Sequence, residues 1–390
     1  MVRKIKNLFH WCNAFLAVCY YGYPARKLTV IGVTGTDGKT TTSTLIYHLL
    51  KNAGRSTALI TTVGGFIGEQ EINTGFHTTT PNPWLLQKLI RQVVKAGMKY
   101  LVLECTSHGL DQHRLLGTNR TIGVLTNLTH EHLDYHGTMG QYLTAKLKVF
   151  SGTKYAVINS QDEYFETIKT KLNRLIIRYG DSRPENYIVK RFPEKYNQTN
   201  AQAAIAVARL LNLDEPAIAT AIANFPGVPG RLDEVANDRG IKIVVDFAHT
   251  PNALKSVLTA IKPKSPHRLI AVFGATGRRD VTKRPIMGDI VSRLADDCIL
   301  TSDDCYDEDP NVIINQIKAG IKTNHGHMIS LVDRQKAIAY GLTLAKRDDT
   351  LAILGKGHES VINLRGRDLP WSDTKVVNEL LQKNQTKGFL

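Results

Sequence analysis

Lys27-Leu-Thr-Val-Ile-Gly-Val-Thr-Gly-Thr-Asp-Gly-Lys-Thr-Thr-Thr42 is the stretch on which the fold turns. Its first half is β-rich and apolar. Its second half sets Gly35, Thr36, Asp37 and Gly38 before Lys39, Thr40 and Thr41, and from Lys39 to Lys51 the apolar residues Leu45, Leu49 and Leu50 recur at helical spacing. Glycines between a strand and a helix let the backbone curl so that its N–H groups point at phosphate oxygens. Lys39 adds a point charge for the β/γ-phosphates, and Thr40 a hydroxyl for Mg²⁺. Val33 stands where the strict pattern has its first glycine, and Asp37 brings a negative charge into the loop. Strand, GKT and helix together favour a nucleotide site over a structural turn. They do not say what the phosphate energy is for, since switches, kinases, motors and ligases all use such a loop.

Outward from this loop, short apolar runs recur: Tyr100–Glu104, Thr121–Asn127 and Tyr155–Asn159, each ending in polar residues, then an Ala-rich helix over Asn200–Leu211. The turn-rich FPGVPG, Phe225–Gly230, breaks the series. A second series follows, with strands at Ile241–Asp246, Leu269–Phe273, Asp297–Leu300 and Thr350–Leu354 and helical runs near 251–262, 285–295, 310–321 and 333–346. Strands alternating with helices imply parallel sheets covered on both faces. The expected fold is therefore α/β: a P-loop domain over 28–226 and a Rossmann-like α/β domain over 227–390, preceded by a basic, aromatic extension over 1–27.

Composition narrows the class. The 390 residues are 42% hydrophobic and 22% charged, a soluble globular balance, and the net charge of +15 favours anionic partners. No base-reading nucleic-acid module is visible. Five scattered cysteines (Cys12, Cys19, Cys105, Cys298, Cys305) argue against a disulfide framework or a thiolate zinc site. No run is long enough to span a bilayer. Residues 1–36 hold no acid but carry Arg3, Lys4, Lys6, Arg26 and Lys27, with Phe9, Trp11 and Phe15 among them. A helix docked on the domain, a helix lying on a membrane surface and a processed leader all fit this start.

Two further clusters carry chemistry. Glu104 closes YLVLE, where a carboxylate at a strand end faces a nucleotide and holds Mg²⁺. His130, Glu131, His132, Asp134 and His136 crowd NLTHEHLDYHG. Polar loop residues, a zinc site and an Mg²⁺ site with one imidazole are the three readings, and a neighbouring nucleotide favours the last.

At this point the chain resembles the Mur ligase family, most closely the branch that adds the third residue of the peptidoglycan stem peptide. The matching runs are ordered along nearly the whole chain: YGYPARKLTVIGVTGTDGKTTT, HTTTP, LECTSHGLDQHR, NLTHEHLDYHGT, YLTAK, PGRLDEV, VVDFAHTPNAL, FGATGRRDVTKRP and LGKGHE. The resemblance implies a cytoplasmic ATP-dependent amide-bond ligase of cell-wall synthesis. It would add an amino acid to a muramoyl-peptide carboxylate through an acyl phosphate, with two domains closing over it. Lys39 and Thr40 would hold the phosphates and the first Mg²⁺. Glu104, His132 and a carbamylated Lys146 would ligate metal. Thr79, Thr80, Ser107 and Arg114 match acceptor contacts, and Asn197 and Asn200 the segment near the adenine. Arg231, Asp246 and His249 match residues that close on the nucleotide. Arg279, Asp280, Lys283 and Arg284 would add charge beside the phosphates and the incoming amino acid. Asp303 and Asp304 with Gly355, His358 and Glu359 fall at the amino-acid pocket, and His249 and Glu359 are candidates for the base that frees the amine.

The chain departs from the family in three places, the first being Asp37, which stands where the family's phosphate loop has an asparagine. Only about 27 residues precede the first strand, where the family carries a domain gripping the uridine nucleotide, so a lipid-linked acceptor becomes an alternative. The segment Asp303–Pro310 lacks the arginine of the diaminopimelate-selecting DNPR run, which argues against diaminopimelate, and its acids at 303, 304, 307, 308 and 309 suggest a basic amino acid such as lysine. A ligase for polyglutamyl or cyanophycin-like acceptors, and a nucleotide-binding scaffold without catalysis, are the other readings.

Overall fold

The computed structural model describes residues 2–72, 79–322 and 327–386, with side chains described from 6 to 383. His77 and Thr78 of HTTTP, and the side chains of Arg3 and Lys4, thus lie outside the described residues. The chain divides into two compact units, residues 1–226 and 227–390.

The first unit opens with helix α1 (Val2–Tyr21) and is built on eight strands: β1 (Thr29–Thr34), β2 (Thr57–Thr61), β3 (Gly64–Ile67), β4 (Gln70–Ile72), β5 (Tyr100–Glu104), β6 (Arg120–Leu125), β7 (Tyr155–Asn159) and β8 (Leu175–Tyr179). Their order in the sheet is β4-β3-β2-β5-β1-β6-β7-β8. β2 through β8 are parallel in that order, as the alternation predicts, but β3 and β4 turn back antiparallel. They follow β2 without a helix, and a crossover to a parallel strand needs about a dozen residues. The central strands are buried along their length, and Ile60, Leu101, Leu103, Leu125 and Ile158 share a core with Leu86, Ile90 and Val93 of helix α3 (Pro83–Lys95). Helix α2 (Lys39–Asn52) begins where the sequence places it.

β1 lies between β5 and β6, in register so that Val33 pairs with Glu104 and Thr34 with Leu125. From β1 the chain runs to β2 on one side, and from β5 it runs to β6 on the other, so the strand order reverses here. A crevice at the carboxyl ends of such strands is where open α/β sheets bind ligands.

The second unit has a six-stranded sheet of β9 (Asp233–Val235), β10 (Lys242–Asp246), β11 (Leu269–Phe273), β12 (Asp297–Leu300), β13 (Met328–Ser330) and β14 (Thr350–Leu354), ordered β13-β12-β11-β14-β10-β9 with only β9 antiparallel. A hairpin of β15 (Val361–Leu364) and β16 (Arg367–Pro370) follows. Its core joins Val245, Val272, Ile299 and Ile353 to Ile338, Leu342 and Val377.

Candidate active site in two parts

In the first unit the loop after β1 is held from β6. Thr36 N–H donates to Asn127 O at 2.9 Å and Asp37 N–H to Asn127 Oδ1 at 2.9 Å, while Thr126 Oγ1 donates to Asp37 O at 2.6 Å. Two glycines make this path possible. Gly35 has φ +154° and a Cβ there would meet Thr126 Oγ1 at 1.7 Å; Gly38 has φ +78° and its Cβ would meet Asn200 Oδ1 at 2.2 Å. Gly38 leads directly into the first turn of α2, and the positive end of a helix dipole favours an anion there. Lys39 Nζ donates to Thr36 O at 2.7 Å, and Thr41 is half-buried in that first turn.

Glu104, at the end of β5, is 1% exposed. Its carboxylate accepts from Thr40 Oγ1 at 3.1 and 3.2 Å and from Thr62 N–H at 3.0 Å. No cation pairs with it among the described residues, so a buried carboxyl group stands beside the phosphate loop with no positive partner. Thr80 Oγ1 donates to Glu104 O and accepts from Thr106 N–H; Arg114 donates to Thr80 O at 3.0 Å; Thr79 bonds Thr62 through their hydroxyls. Ser107 starts the short helix Ser107–Asp111, capped by Thr106. Asn197 and Asn200 lie one turn apart on the helix Lys195–Leu210, bonded to each other, and Thr42 of α2 donates to Asn200.

Lys146, on the helix Met139–Leu147, is 1% exposed. Its Nζ donates to Gly35 O at 2.5 Å and lies 4.4 Å from the centre of the Tyr142 ring. No carboxylate pairs with it among the described residues. Burial, and then the charge of Lys39, push its pKa well below the ordinary lysine value against the opposing pull of Asp37 and Glu131. His132, at φ +57°, places its ring 6.2 Å from the same Tyr142 ring. Tyr142 exchanges a hydrogen bond with Thr36 at 3.2 Å, so it joins loop, lysine and imidazole. Tyr142 and Asn127 were missed as site residues. Their signal was present: Tyr142 sits four residues before Lys146, on the same helix face, and Asn127 ends the β6 run.

The histidine-rich segment does not assemble a zinc centre: no group of three His, Cys, Asp or Glu fit to hold a metal occurs among the described residues. His130 is exposed, and His136 is buried among the rings of His108, Tyr135 and Tyr142.

The second unit gathers its residues at strand ends. Asp246, last in β10, accepts from Leu232 N–H and Ala248 N–H, both at 2.7 Å. Arg231 lies over the Phe247 ring at 4.4 Å, and the rings of His249 and His358 contact the same phenyl at 4.5 and 5.3 Å. His249 also exchanges a hydrogen bond with Phe247 O through Nδ1. Beyond β14, Gly355 approaches Asp303, where a Cβ would meet Oδ2 at 2.5 Å. Lys356 is fully buried, donating to Asp304 at 2.9 Å and pairing with Glu359 at 2.5 Å. Burial lowers the affinity of Lys356 for its proton, but Asp303, Glu359 and Asp304 outweigh it and raise its pKa. Burial pushes Glu359 up to about 7, against the pull of Lys356.

The basic run is not one exposed face. Arg279 is exposed, Lys283 is buried, and Arg284, with no exposure, is bound by Glu308 and Gln316. Asp280 accepts from Thr282 N–H at 2.9 Å. The acids of 303–309 do not form an open cradle for a basic side chain: Asp307 pairs with Arg278, Glu308 with Arg284, Asp304 with Lys356, Asp303 accepts from Asp304 N–H, and Asp309 caps the helix Pro310–Lys318.

Residues 33–213 match the Mur ligase middle domain, and 230–357 the Mur ligase glutamate ligase domain. Over 417 residues the chain is 37% identical to the UDP-N-acetylmuramoyl-L-alanyl-D-glutamate–2,6-diaminopimelate ligase of Gloeobacter violaceus, covering 99% of this chain and 84% of that protein. The chain belongs to the Mur ligase family. The Clostridium botulinum enzyme of the same name is 34% identical, covering 95% of this chain and 81% of its own length. A solved structure of a ligase of that name is 32% identical, with a TM-score of 0.58 over 92% of this chain and 79% of its own. A folylpolyglutamate/dihydrofolate synthase from Yersinia pestis, solved with AMPPNP and manganese, shares the fold at 17% identity, with a TM-score of 0.71 over 90% of this chain and 91% of its own. This Mur ligase is thus an ATP-dependent amino-acid ligase by family. Among the described residues no helix is long and apolar enough to cross a membrane.

Proposed function

We propose that this Mur ligase joins an amino acid to the carboxylate of a muramoyl-peptide acceptor through an acyl phosphate, releasing ADP and phosphate. The observation that carries the reading is that the buried Glu104, which no cation pairs among the described residues, and the buried Lys146 both reach the phosphate loop, one through Thr40 and the other through Gly35 O. It is supported by 37% identity to an enzyme whose name states such a substrate.

A carboxylate is a poor acyl donor. In the proposed reaction the acceptor carboxylate attacks the γ-phosphorus of ATP, the bond to the β–γ bridging oxygen breaks, and ADP leaves. Lys39 and the N–H groups at the start of α2 hold the phosphates in line. Thr40, Glu104, His132 and a carbamate on Lys146 would hold Mg²⁺, which when bound neutralises phosphate charge. The carbamate forms when the neutral amine of Lys146 attacks carbon dioxide: an N–C bond is made, one C=O electron pair moves to oxygen, and the amine proton leaves to solvent. Its burial without a carboxylate partner favours the neutral amine that this step needs. Thr79, Thr80, Ser107 and Arg114 position the acceptor, and Asn197 and Asn200 serve the adenine side. Arg231, Asp246, Arg279, Asp280, Lys283 and Arg284 support the nucleotide and amino acid, Arg284 by anchoring Glu308. Asp303, Asp304, Gly355 and His358 shape the amino-acid pocket. The amine then attacks the acyl carbon and phosphate departs. Glu359, raised to about 7, and His249 are the candidates to take the amine proton.

The proposal includes a cytoplasmic location with peripheral membrane contact through residues 1–22, and a lipid-linked acceptor as the second reading. That reading is favoured by the exposed aromatic side chains of α1. Hydroxylamine supplied with ATP, Mg²⁺ and acceptor, but no amino acid, should trap the acyl phosphate as an acyl hydroxamate. Formation of amide product on adding the amino acid, with no hydroxamate in its absence, would refute the intermediate.

A further inference from the structure

Helix α1 is amphipathic the wrong way round for a solvent-facing helix. Ala14, Ala17 and Val18 are buried against the first unit, and Val18 packs so closely on Gly117 that a Cβ there would meet it at 2.6 Å. The outward face carries Leu8, Phe9, Trp11, Phe15, Leu16 and Tyr20, and Leu8, Phe9, Leu16 and Tyr20 are each more than half exposed. Among the described residues nothing covers this face, and large apolar side chains gathered on one exposed helix face mark an interaction surface.

The neighbouring helix says what the surface fits. Trp84, at the start of α3, donates to Asn13 of α1 at 2.9 Å and packs its ring against Tyr20 at 5.6 Å. Lys88, Arg91 and Lys95 follow Trp84 at steps of four, three and four residues, so all four lie along one stripe of α3, and all are exposed. The cationic stripe therefore begins where the apolar face of α1 ends. Neither helix contains an acid, and Arg26, Lys27 and Lys99 extend the acid-free surroundings in sequence. Apolar and aromatic side chains beside clustered Lys and Arg, with no acids, complement a lipid surface that is anionic at the headgroups and apolar beneath.

We propose that α1 and the Trp84–Lys95 stripe of α3 form one docking surface for anionic lipid bilayers, with α1 lying in the interface and α3 reading the headgroup charge. This deepens the membrane contact of the preceding reading by naming the second helix and the lipid class. It does not depend on the ligase chemistry, because none of these side chains belongs to the nucleotide or acceptor site.

The test is sedimentation of the full chain with vesicles of equimolar phosphatidylglycerol and phosphatidylcholine, against vesicles of phosphatidylcholine alone. Binding should be stronger to the anionic vesicles and weaken as salt is added. K88Q/R91Q/K95Q should weaken anionic binding about a hundred-fold, from three headgroup-facing charges, and L8S/F9S/F15S/L16S should weaken binding to both compositions. Both sets lie on exposed faces, so unchanged thermal melting certifies the fold. K39A should bind vesicles as the parent does, which separates failure of this inference from failure of the ligase reading. Equal binding to both compositions, α3 variants that bind like the parent, or no sedimentation at low salt would overturn it. So would a dimer in solution that dissociates on L8S/F9S/F15S/L16S substitution, because the face would then be covered by a second copy.

Discussion

Replacing Lys146 by methionine separates the chemical role of this lysine from its structural one. The side chain is 1% exposed, its amine touches Gly35 O and the Tyr142 ring, and no carboxylate offsets a charge there among the described residues. Methionine is unbranched and fills most of the volume of the lysine stem. What is lost is one hydrogen bond to Gly35 O, worth about 1 kcal/mol net. Against this, an amine whose charged form burial disfavours no longer has to be held there. The two terms oppose, so K146M should melt close to the parent. Turnover should behave differently. A carbamate that helps neutralise charge at the transferring phosphate is an electrostatic group, and loss of one such group costs about 10²–10³ in rate, roughly 3–4 kcal/mol. The assay is phosphate release from ATP with Mg²⁺, acceptor and amino acid, with thermal melting alongside. Parent activity should fall when bicarbonate and carbon dioxide are stripped and return when bicarbonate is restored; K146M should be insensitive. Isotope-labelled bicarbonate should give a carbamate carbon signal in the parent and none in K146M. A K146M turnover within a few-fold of the parent, at unchanged melting temperature, would remove the carbamate role of Lys146.

Gly38→Ala should weaken ATP binding at least about tenfold: the left-handed φ costs a non-glycine residue about 1–2 kcal/mol, and the new Cβ strikes Asn200 Oδ1; isothermal titration reads it. Glu104→Gln should raise the Mg²⁺ concentration for half-maximal activity by about an order of magnitude, and a Mg²⁺ titration at saturating ATP checks this. Asp246→Ala strands the N–H groups of Leu232 and Ala248, which should cost about 2–4 kcal/mol of stability in the second unit, read by denaturant unfolding. Glu359 is protonated in the folded chain where the unfolded chain has released its proton. Its contribution is thus fully present below its ordinary value of 4.5 and lost as pH rises through about 7. Unfolding curves should show the parent losing stability relative to E359Q across that window, and a flat difference would remove the shift.

Much of the first unit was legible because its signals are local. Glycine placement, a strand before and a helix after fix the phosphate loop, and strand-end polar residues such as Glu104 follow from the same alternation. β3 and β4 were not legible: GGFI and QEI are short and glycine-rich or polar, and their pairing depends on the turn after β2. For Tyr142 the sequence offered its place one turn before Lys146, but not its contacts with Thr36 and the His132 ring, which exist only in space. The acids of 303–309 show the opposite error. Sequence displays their charge but not their partners, and Arg278, Arg284 and Lys356 are distant along the chain. The outward apolar face of α1 needed the structure too, since only packing shows which side of a helix rich in apolar residues is buried.

The most direct measurement is phosphate release from ATP with Mg²⁺ across a panel of amino acids, each offered with UDP-linked muramoyl-dipeptide and with its lipid-linked equivalent. Release is expected only when an acceptor and one particular amino acid are both present, in step with amide product. Release that proceeds at the same rate without acceptor, or ATP bound with no release across the whole panel, would contradict the proposed ligase reaction.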